Sequence, residues 1–272
     1  MPQLQFGAMI IGDEILSGKR QDKHLTALIR ILAARGLKLA WADYIGDNPE
    51  AITAAITRHR QADTVLFSFG GIGSTPDDHT RQCAAAAHQQ PLAIHPEGKI
   101  IVEGRFGAEA YPHRINMVNI PAHATLIPNP VNQMPGFSVG QHHFVPGFPS
   151  MAWPMIEWVL DTQYAAHFPT EKEVEFLFRV LHSREGDMID VMQDFVARYP
   201  TLGFSSLPSF GDADTPPHVE FGISGPPQLA ALAANELANT FKAQQRRVEA
   251  IRQREKKNAT ASCGAFLMAR LN

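Results

Sequence analysis

Behind the apolar run TVLFSF, residues 64–69, the sequence reads GGIGSTPDDHT over 70–80. A strand running into Gly70-Gly71-x-Gly73 and then a helix leaves main-chain N–H groups at the carboxyl edge of a sheet, where anions bind. Ser74, Thr75 and Thr80 add hydroxyls of the kind that hold phosphate oxygens. The adjacent carboxylates Asp77 and Asp78 do not suit a loop made for phosphate alone. Two like charges about 4 Å apart repel by about 4 kcal/mol at an effective dielectric of about 20, and a phosphate would repel both. A divalent cation such as Mg, Mn or Co removes the conflict, since carboxylates and substrate phosphates together form its usual oxygen site. The same residues also make a good helix start, with Ser or Thr as N-cap, Pro at the first helical position and Asp in the first turn. A helix from about Asp77 is therefore expected.

A second acidic stretch, IGDEILSG at 11–18, again follows an apolar run. If the first strand lies beside the third in a parallel sheet, Asp13 and Glu14 reach the same edge as Asp78. Asp78, Asp13 and Glu14 are then candidate catalytic acids, and Asp78, Asp77 and Asp13 candidate metal ligands. Taken alone, the stretch reads as a turn with solvated acids. Two Pro-Gly turns follow, NPVNQMPGF (129–137) and VPGFPSM (145–151). Asn129, Asn132 and Ser150 could hydrogen-bond a heterocycle or sugar, with Pro135, Gly136, Pro146 and Gly147 shaping the turns and Pro149 starting a helix. Tight turns explain these residues equally well.

The elements that must position these loops alternate between strand and helix patterns, the signature of a parallel sheet covered by helices. LQFGAMIIG (4–12), LKLAWADYI (37–45) and TVLFSF read as strands. DKHLTALIRILAARG reads as a helix capped by Asp22 and ended by Gly36, and DNPEAITAAITRHRQA as one capped by Asn48. Short strands are expected at 124–128, 137–140 and 142–145, then a helix over 149–160. After a linker at 165–172, EVEFLFRVL, a helix with Met188, Ile189, Met192, Phe195 and Val196 inward, two further strands and a long helix from Pro227 suggest a small α+β domain.

The 272 residues suffice for two modest domains, and 44% apolar with 19% charged residues is ordinary for a globular chain. A net charge of -3 does not favour a nucleic-acid partner. The start lacks the basic residues of a signal peptide, and no segment approaches the roughly 20 apolar residues of a membrane span. Two cysteines, Cys83 and Cys263, form neither a disulfide framework nor a metal motif. A cytoplasmic protein is expected.

In this order and spacing, GDEILSG, GDN (46–48), GGIGSTPDDHT, NPVNQMPGF and PGFPSM resemble the MoaB/Mog molybdopterin-binding superfamily. Within it they are most similar to the amino-terminal domain of CinA-type competence/damage-inducible proteins, over about residues 4–160. The region from about 171 to 242 is similar to the small KH-like or ferredoxin-like domain that follows in those proteins. The resemblance implies a three-layer α/β domain with a mostly parallel sheet over 1–168, then a small α+β domain with a long C-terminal helix over 169–272. It implies a stand-alone form lacking the carboxyl-terminal deamidase domain of some relatives, so nicotinamide-nucleotide deamidation is not expected.

Members of the superfamily adenylylate molybdopterin or insert molybdate. CinA-type relatives are associated with metal-dependent cleavage of the diphosphate of ADP-ribose, and a eukaryotic relative acts on FAD. Asp78 matches the acid of the shared Thr-Pro-x-Asp pattern, whereas Asp77 matches only the CinA-type Asp-Asp. Asp13 stands where CinA-type chains usually have Thr and matches the Gly-Asp-Glu of the molybdopterin-inserting branch. The expected function is metal-dependent hydrolysis of nucleotide diphosphates, ADP-ribose or FAD. The alternative is a molybdopterin-binding or transfer protein of molybdenum-cofactor metabolism, its ligand a pterin phosphate. A homo-oligomer is expected, because the second domain and the helix from Pro227 offer apolar surface.

Other residues are assigned no chemistry. His142 and His143 are neighbours beside a strand, facing opposite sides, and read as surface or turn histidines. The basic tail QQRRVEAIRQREKK reads as a solvated helix face. Cys83, amid alanines, reads as a small buried residue.

Overall fold

The computed structural model describes residues 4–171, 173–212 and 215–254. It divides into two compact units, Met1–Phe168 and Pro169–Asn272. The first contains a mixed sheet whose parallel part is formed by β1 (Gln5–Ile11), β2 (Leu39–Ile45), β3 (Thr64–Phe69) and β8 (His142–Val145). Two short antiparallel strands, β7 (Gly136–Val139) and β6 (Thr125–Ile127), complete the order β2-β1-β3-β8-β7-β6. Side chains alternate across the central strands. Phe6, Ala8 and Ile10 pack with Val65, Phe67 and Phe69 under α2 (His24–Ala34) and α6 (Pro149–Gln163). Met9, Ile11 and Leu66 face α3 (Pro49–Arg58) and α4 (Thr80–Ala87) through Ile52, Ile56, Cys83 and Ala84. Strands covered on both faces need apolar residues at every position, which is why β1 and β3 read as unbroken apolar runs.

The helix starts follow local chemistry. Asp22 accepts the amides of His24 at 2.7 Å and Leu25 at 3.1 Å, and Asn48 accepts that of Ala51 at 2.8 Å ahead of Pro49. A four-residue helix, α1 (Asp13–Leu16), follows β1 directly. The expected helix from Asp77 begins instead at Thr80, because residues 75–78 close into a turn. In that turn the Asp78 amide donates to the Thr75 carbonyl at 3.0 Å, and the Asp78 carboxylate takes the Thr75 amide at 2.8 Å. Residues 88–123, for which the pattern gave no assignment, carry a two-stranded antiparallel ribbon, β4 (Leu92–Ile94) and β5 (Asn119–Pro121). Between them α5 (Pro96–Phe106) and two 3-10 turns enclose a small core of Val102, Ala110, Ile115 and Val118.

The second unit is an antiparallel sheet of β9 (Val174–Leu181), β10 (Gly203–Ser209), β11 (His218–Gly225), β12 (Arg247–Val248) and β13 (Arg252–Arg254). It packs against α7 (Ile189–Arg198) and α8 (Pro227–Ala243) through Phe178, Phe195, Phe221 and Phe241. Within the expected inward set of α7, Ile189 and Val196 instead point outward. The tail is not a continuation of the helix. α8 stops at Ala243, the backbone turns at Gln245 with φ 60°, and β12 and β13 pair with β9, which would otherwise expose that edge. The tail beyond Arg254 and Cys263 lie outside the described residues. Among the described residues no helix is long and apolar enough to cross a membrane.

His142 and His143 are not surface residues, since both are buried in β8. His143 bridges Ser138 Oγ and Tyr164 OH, each at 2.8 Å, and His142 lies between the His59 carbonyl at 3.1 Å and His88 Nε2 at 3.0 Å. Sheet alternation does send them to opposite faces, but both faces are covered. Burial pushes the pKa of His143 down to about 3 and those of His142 and His88 down to about 4. All three are thus neutral in the fold and protonated in the unfolded chain once the pH drops below about 6.5. Their contribution is complete above that pH and is lost as pH falls toward 4, with a slope of about 1.4 kcal/mol per pH unit for each excluded proton. Thermal melting from pH 7.5 to 4.5 should therefore show a steep fall below pH 6.5, and His88→Gln should flatten it by up to one proton.

Candidate functional site

Parallel pairing puts the carboxyl ends of β2, β1, β3 and β8 at one edge of the sheet, with Ile11 in register with Ile45 and Ile10 with Phe69. The loops leaving these ends are Gly12-Asp13-Glu14, Gly46-Asp47-Asn48, the glycine loop and Pro146-Gly147. They meet in one cleft of about 710 Å³. Close approach demands glycine at Gly70, where φ is 102° and a side chain would come within 2.8 Å of the Ile11 carbonyl. The loop is then pinned by Thr80, whose amide donates to the Gly71 carbonyl and whose hydroxyl donates to the Gly70 carbonyl, both at 3.0 Å.

Beyond this pin, the amides of Gly71, Ile72, Gly73 and Ser74 have no acceptor among the described residues, and all four residues line the cleft. Consecutive unpaired main-chain donors form a concavity that suits an oxyanion. Ser74 and Thr75 also line the cleft, but the Thr75 hydroxyl is directed at Asp78 Oδ2.

The acids face this concavity from two sides. Asp77 and Asp78 line it from the glycine loop, Glu14 and Asp47 from the ends of β1 and β2. Asp13 lies outside the lining and braces it, because its Oδ1 accepts the Asp47 amide at 3.2 Å while Asp47 Oδ2 accepts the Asp13 amide at 2.9 Å. Burial raises the Asp47 pKa, and the charges of Asp13, Glu14 and Asp77 raise it further against the Asp13 hydrogen bond. Asp77 belongs to the opposite loop, so both acidic groups share one field. With Asp22 the cleft has five carboxylates against two cationic side chains, Arg20 and Lys23.

Among the described residues no three His, Cys, Asp or Glu side chains are close enough to cage an ion by themselves. A magnesium-type ion does not require a protein cage, since one or two carboxylates with phosphate oxygens and water suffice. The donor set fits that pattern. Asp47 and Asp78 each use Oδ2 for a main-chain tether, and neither Oδ1 has a hydrogen-bond partner among the described residues.

The two Pro-Gly turns form the far wall, where Asn132, Pro135, Pro146 and Gly147 line the cleft with Phe148 and Met151. The asparagines are internal braces: Asn129 Nδ2 donates to Asn132 Oδ1 at 2.7 Å and to the Met134 carbonyl at 3.0 Å, and Asn129 Oδ1 takes the Val131 amide at 3.0 Å. Gly136 is inside β7, the Thr80 hydroxyl is committed to Gly70, and Ser150 is exposed in the first turn of α6. None of these three lines the cleft.

Three residues of the site were not singled out from the pattern. Asp47 sits in the quoted GDN motif without a role. His24 stacks on Phe69 with ring centroids 4.6 Å apart and donates from Nε2 to the Gly147 carbonyl at 3.1 Å, tying the start of α2 to the last turn. Arg81 is buried behind the glycine loop. No local spacing marks a side chain whose hydrogen-bond partner lies 123 positions away, as Gly147 does from His24.

With this geometry in place, similarity to known proteins becomes informative. The family described as "Probable molybdopterin binding domain" matches residues 7–166. The chain belongs to this family. A putative competence-damage inducible protein of Alkaliphilus metalliredigens is 29% identical over 198 residues, 69% of this chain and 47% of that protein. A CinA-like protein of Geobacter metallireducens is 31% identical over 154 residues, 54% of this chain and 37% of its own length. The chain thus spans less than half the length of these curated relatives. The crystal structure of CinA from Thermoplasma acidophilum aligns with a TM-score of 0.54 and 24% identity, covering 58% of this chain and 97% of that one. The MoaB/Mog-like α/β fold and the CinA-type affiliation expected from the motifs are both borne out.

A raised carboxyl pKa means the fold resists the charge, so the Asp47 contribution to stability falls as pH rises through the carboxylate range. Asp47→Asn keeps an acceptor for the Asp13 amide and removes that repulsion. At pH 7 without divalent cations the variant should melt roughly 1–3 °C above the parent protein, and added cations should raise the melting temperature of the parent only.

Proposed function

We propose that the first unit binds a phosphorylated heterocyclic compound in a cation-dependent manner and hydrolyses a nucleotide diphosphate of the ADP-ribose or FAD type. The observation that carries this reading is the combination, in one cleft, of four unpaired amides facing an excess of carboxylates. An oxyanion alone would be repelled by the acids, and a cation alone would have no use for the amides. A ligand carrying both satisfies each group.

In this reading the amides of 71–74 hold one phosphate and keep its phosphorus fixed relative to the acids. Asp47 and Asp78, each with one untethered oxygen, would hold a divalent cation, which when bound offsets the carboxylate charge and withdraws electrons from the phosphoryl group. Asp13 keeps Asp47 in place, and Thr75 keeps Asp78 in place. Glu14, whose partner is Arg20 at 3.6 Å, has a carboxylate available to accept the proton of an attacking water. Water then adds to phosphorus and the phosphoanhydride bond breaks, giving AMP and ribose 5-phosphate from ADP-ribose. Phe148, Met134 and Met151 on the far wall supply apolar surface for the base.

A second reading, a pterin-phosphate binding or transfer protein without turnover of its own, is favoured by the description of the matching family. It uses the same nest and the same apolar wall. One assay separates them. Incubation with ADP-ribose or FAD and Mg, Mn or Co should release AMP, and Asp78→Asn and Asp47→Asn should each lower kcat/KM by at least about a hundredfold. Both substitutions preserve the main-chain tethers, so loss of fold is not the expected cause. Intact substrate at high enzyme concentration with all three metals would remove the hydrolase reading, and ligand-induced thermal stabilisation without cleavage would favour the second.

A further inference from the structure

We infer that Arg81 is the positioning residue of the amide concavity: it fixes the Gly73–Ser74 peptide with the Ser74 N–H turned to the cleft and sets a buried positive charge behind it. The inference rests on the reading that the concavity receives a phosphoryl group. Arg81 is only 4% exposed, in the first turn of α4. Its partners are carbonyls: Nε donates to the Gly73 oxygen and Nη1 to the Asn119 oxygen, each at 3.1 Å. Among the described residues no carboxylate forms an ion pair with it. An interior guanidinium without a counter-ion is unfavourable, and burial lowers its pKa while the charge of Asp78 raises it.

A purely structural brace between two carbonyls would not need that charge. A neutral amide could donate both bonds from one nitrogen. What the charge adds is a favourable field on the near side of the loop, opposing that of the surrounding acids where an oxyanion would sit. The hydrogen bond adds direction. In a trans peptide the carbonyl and the following N–H point opposite ways, so a Gly73 carbonyl drawn toward Arg81 sends the Ser74 N–H away from it. Ser74 lines the cleft and its amide has no acceptor among the described residues. The second bond, to Asn119 at the start of β5, ties the same guanidinium to the segment carrying Met117, another cleft residue. Lysine would keep the charge but cannot reproduce the planar fork that meets both carbonyls.

The full-length chain carrying Arg81→Gln or Arg81→Lys, checked for fold by far-UV circular dichroism, is titrated with inorganic pyrophosphate and magnesium by calorimetry, while NMR follows the Ser74 amide. Arg81→Gln should weaken pyrophosphate by at least about tenfold and abolish the ligand-induced shift of the Ser74 amide. Arg81→Lys should fall between this variant and the parent. A folded Arg81→Gln chain that binds pyrophosphate as the parent does, with the Ser74 shift intact, would overturn the inference. Should Arg81→Gln fail to fold, Arg81→Lys decides, and parent-like affinity with a parent-like Ser74 shift overturns it. If the parent protein does not bind pyrophosphate at all, the phosphate reading of the concavity fails and this inference with it, an outcome visible before any variant is made.

Discussion

The placement of the three acidic and glycine-rich loops depends on β1 pairing in parallel with both β2 and β3. Parallel strands end at the same edge, so three separate stretches of chain deliver their loops to one place without any direct sequence relation. Pairing continues into the loops, with the Gly12 amide donating to the Ile45 carbonyl and the Gly70 amide to the Val145 carbonyl, both at 3.0 Å. The loops therefore depart from a fixed ladder. A shift of register by one residue would reverse the faces of Phe6, Ala8 and Ile10 against Met9 and Ile11, which the two covering helix layers forbid. Core packing thus fixes where the acids stand.

Much of this is legible in the sequence because strand and loop chemistry are local. Doubly covered strands announce themselves as apolar runs, and Asp22 and Asn48 mark helix starts by a residue type that only needs neighbours two or three positions away. Failures occur where local rules compete with tertiary bonds. STPDD satisfies the composition of a helix start, but the Asp78 carboxylate closes a turn on Thr75 and Thr80 anchors to the glycine loop, so the helix waits three residues. The basic tail has a helical charge pattern, yet an open edge of β9 offers it a ladder. His143 looks like a surface residue until Ser138 and Tyr164 are known to satisfy both ring nitrogens.

The acids of the cleft fell between these cases. Their presence at one edge followed from strand order, whereas the division of labour among them did not. Asp13 and Asp47 exchange main-chain hydrogen bonds across 34 positions, and that exchange turns Asp47, rather than Asp13, toward the cleft. Nothing in GDEILSG or GDN distinguishes the brace from the braced. The distinction is one of geometry between two loops.

The chain itself supplies a control for whether these charges matter. A neutral side chain suffices elsewhere as the acceptor for a main-chain amide, since Asn48 accepts the Ala51 amide and Asn129 that of Val131, although Asp22 caps α2 with a carboxylate. Asp47, Asp13 and Asp78 perform the same local service, one amide each, and asparagine would do so without mutual repulsion. The fold instead keeps them ionisable and close enough that burial and three neighbouring carboxylates raise the pKa of Asp47. Charge unnecessary for the tether and unfavourable for the neighbourhood needs another cause. The cation of the proposed function, held against an anion on the opposing amides, would supply one, because it would reverse the sign of the interaction for all the acids at once.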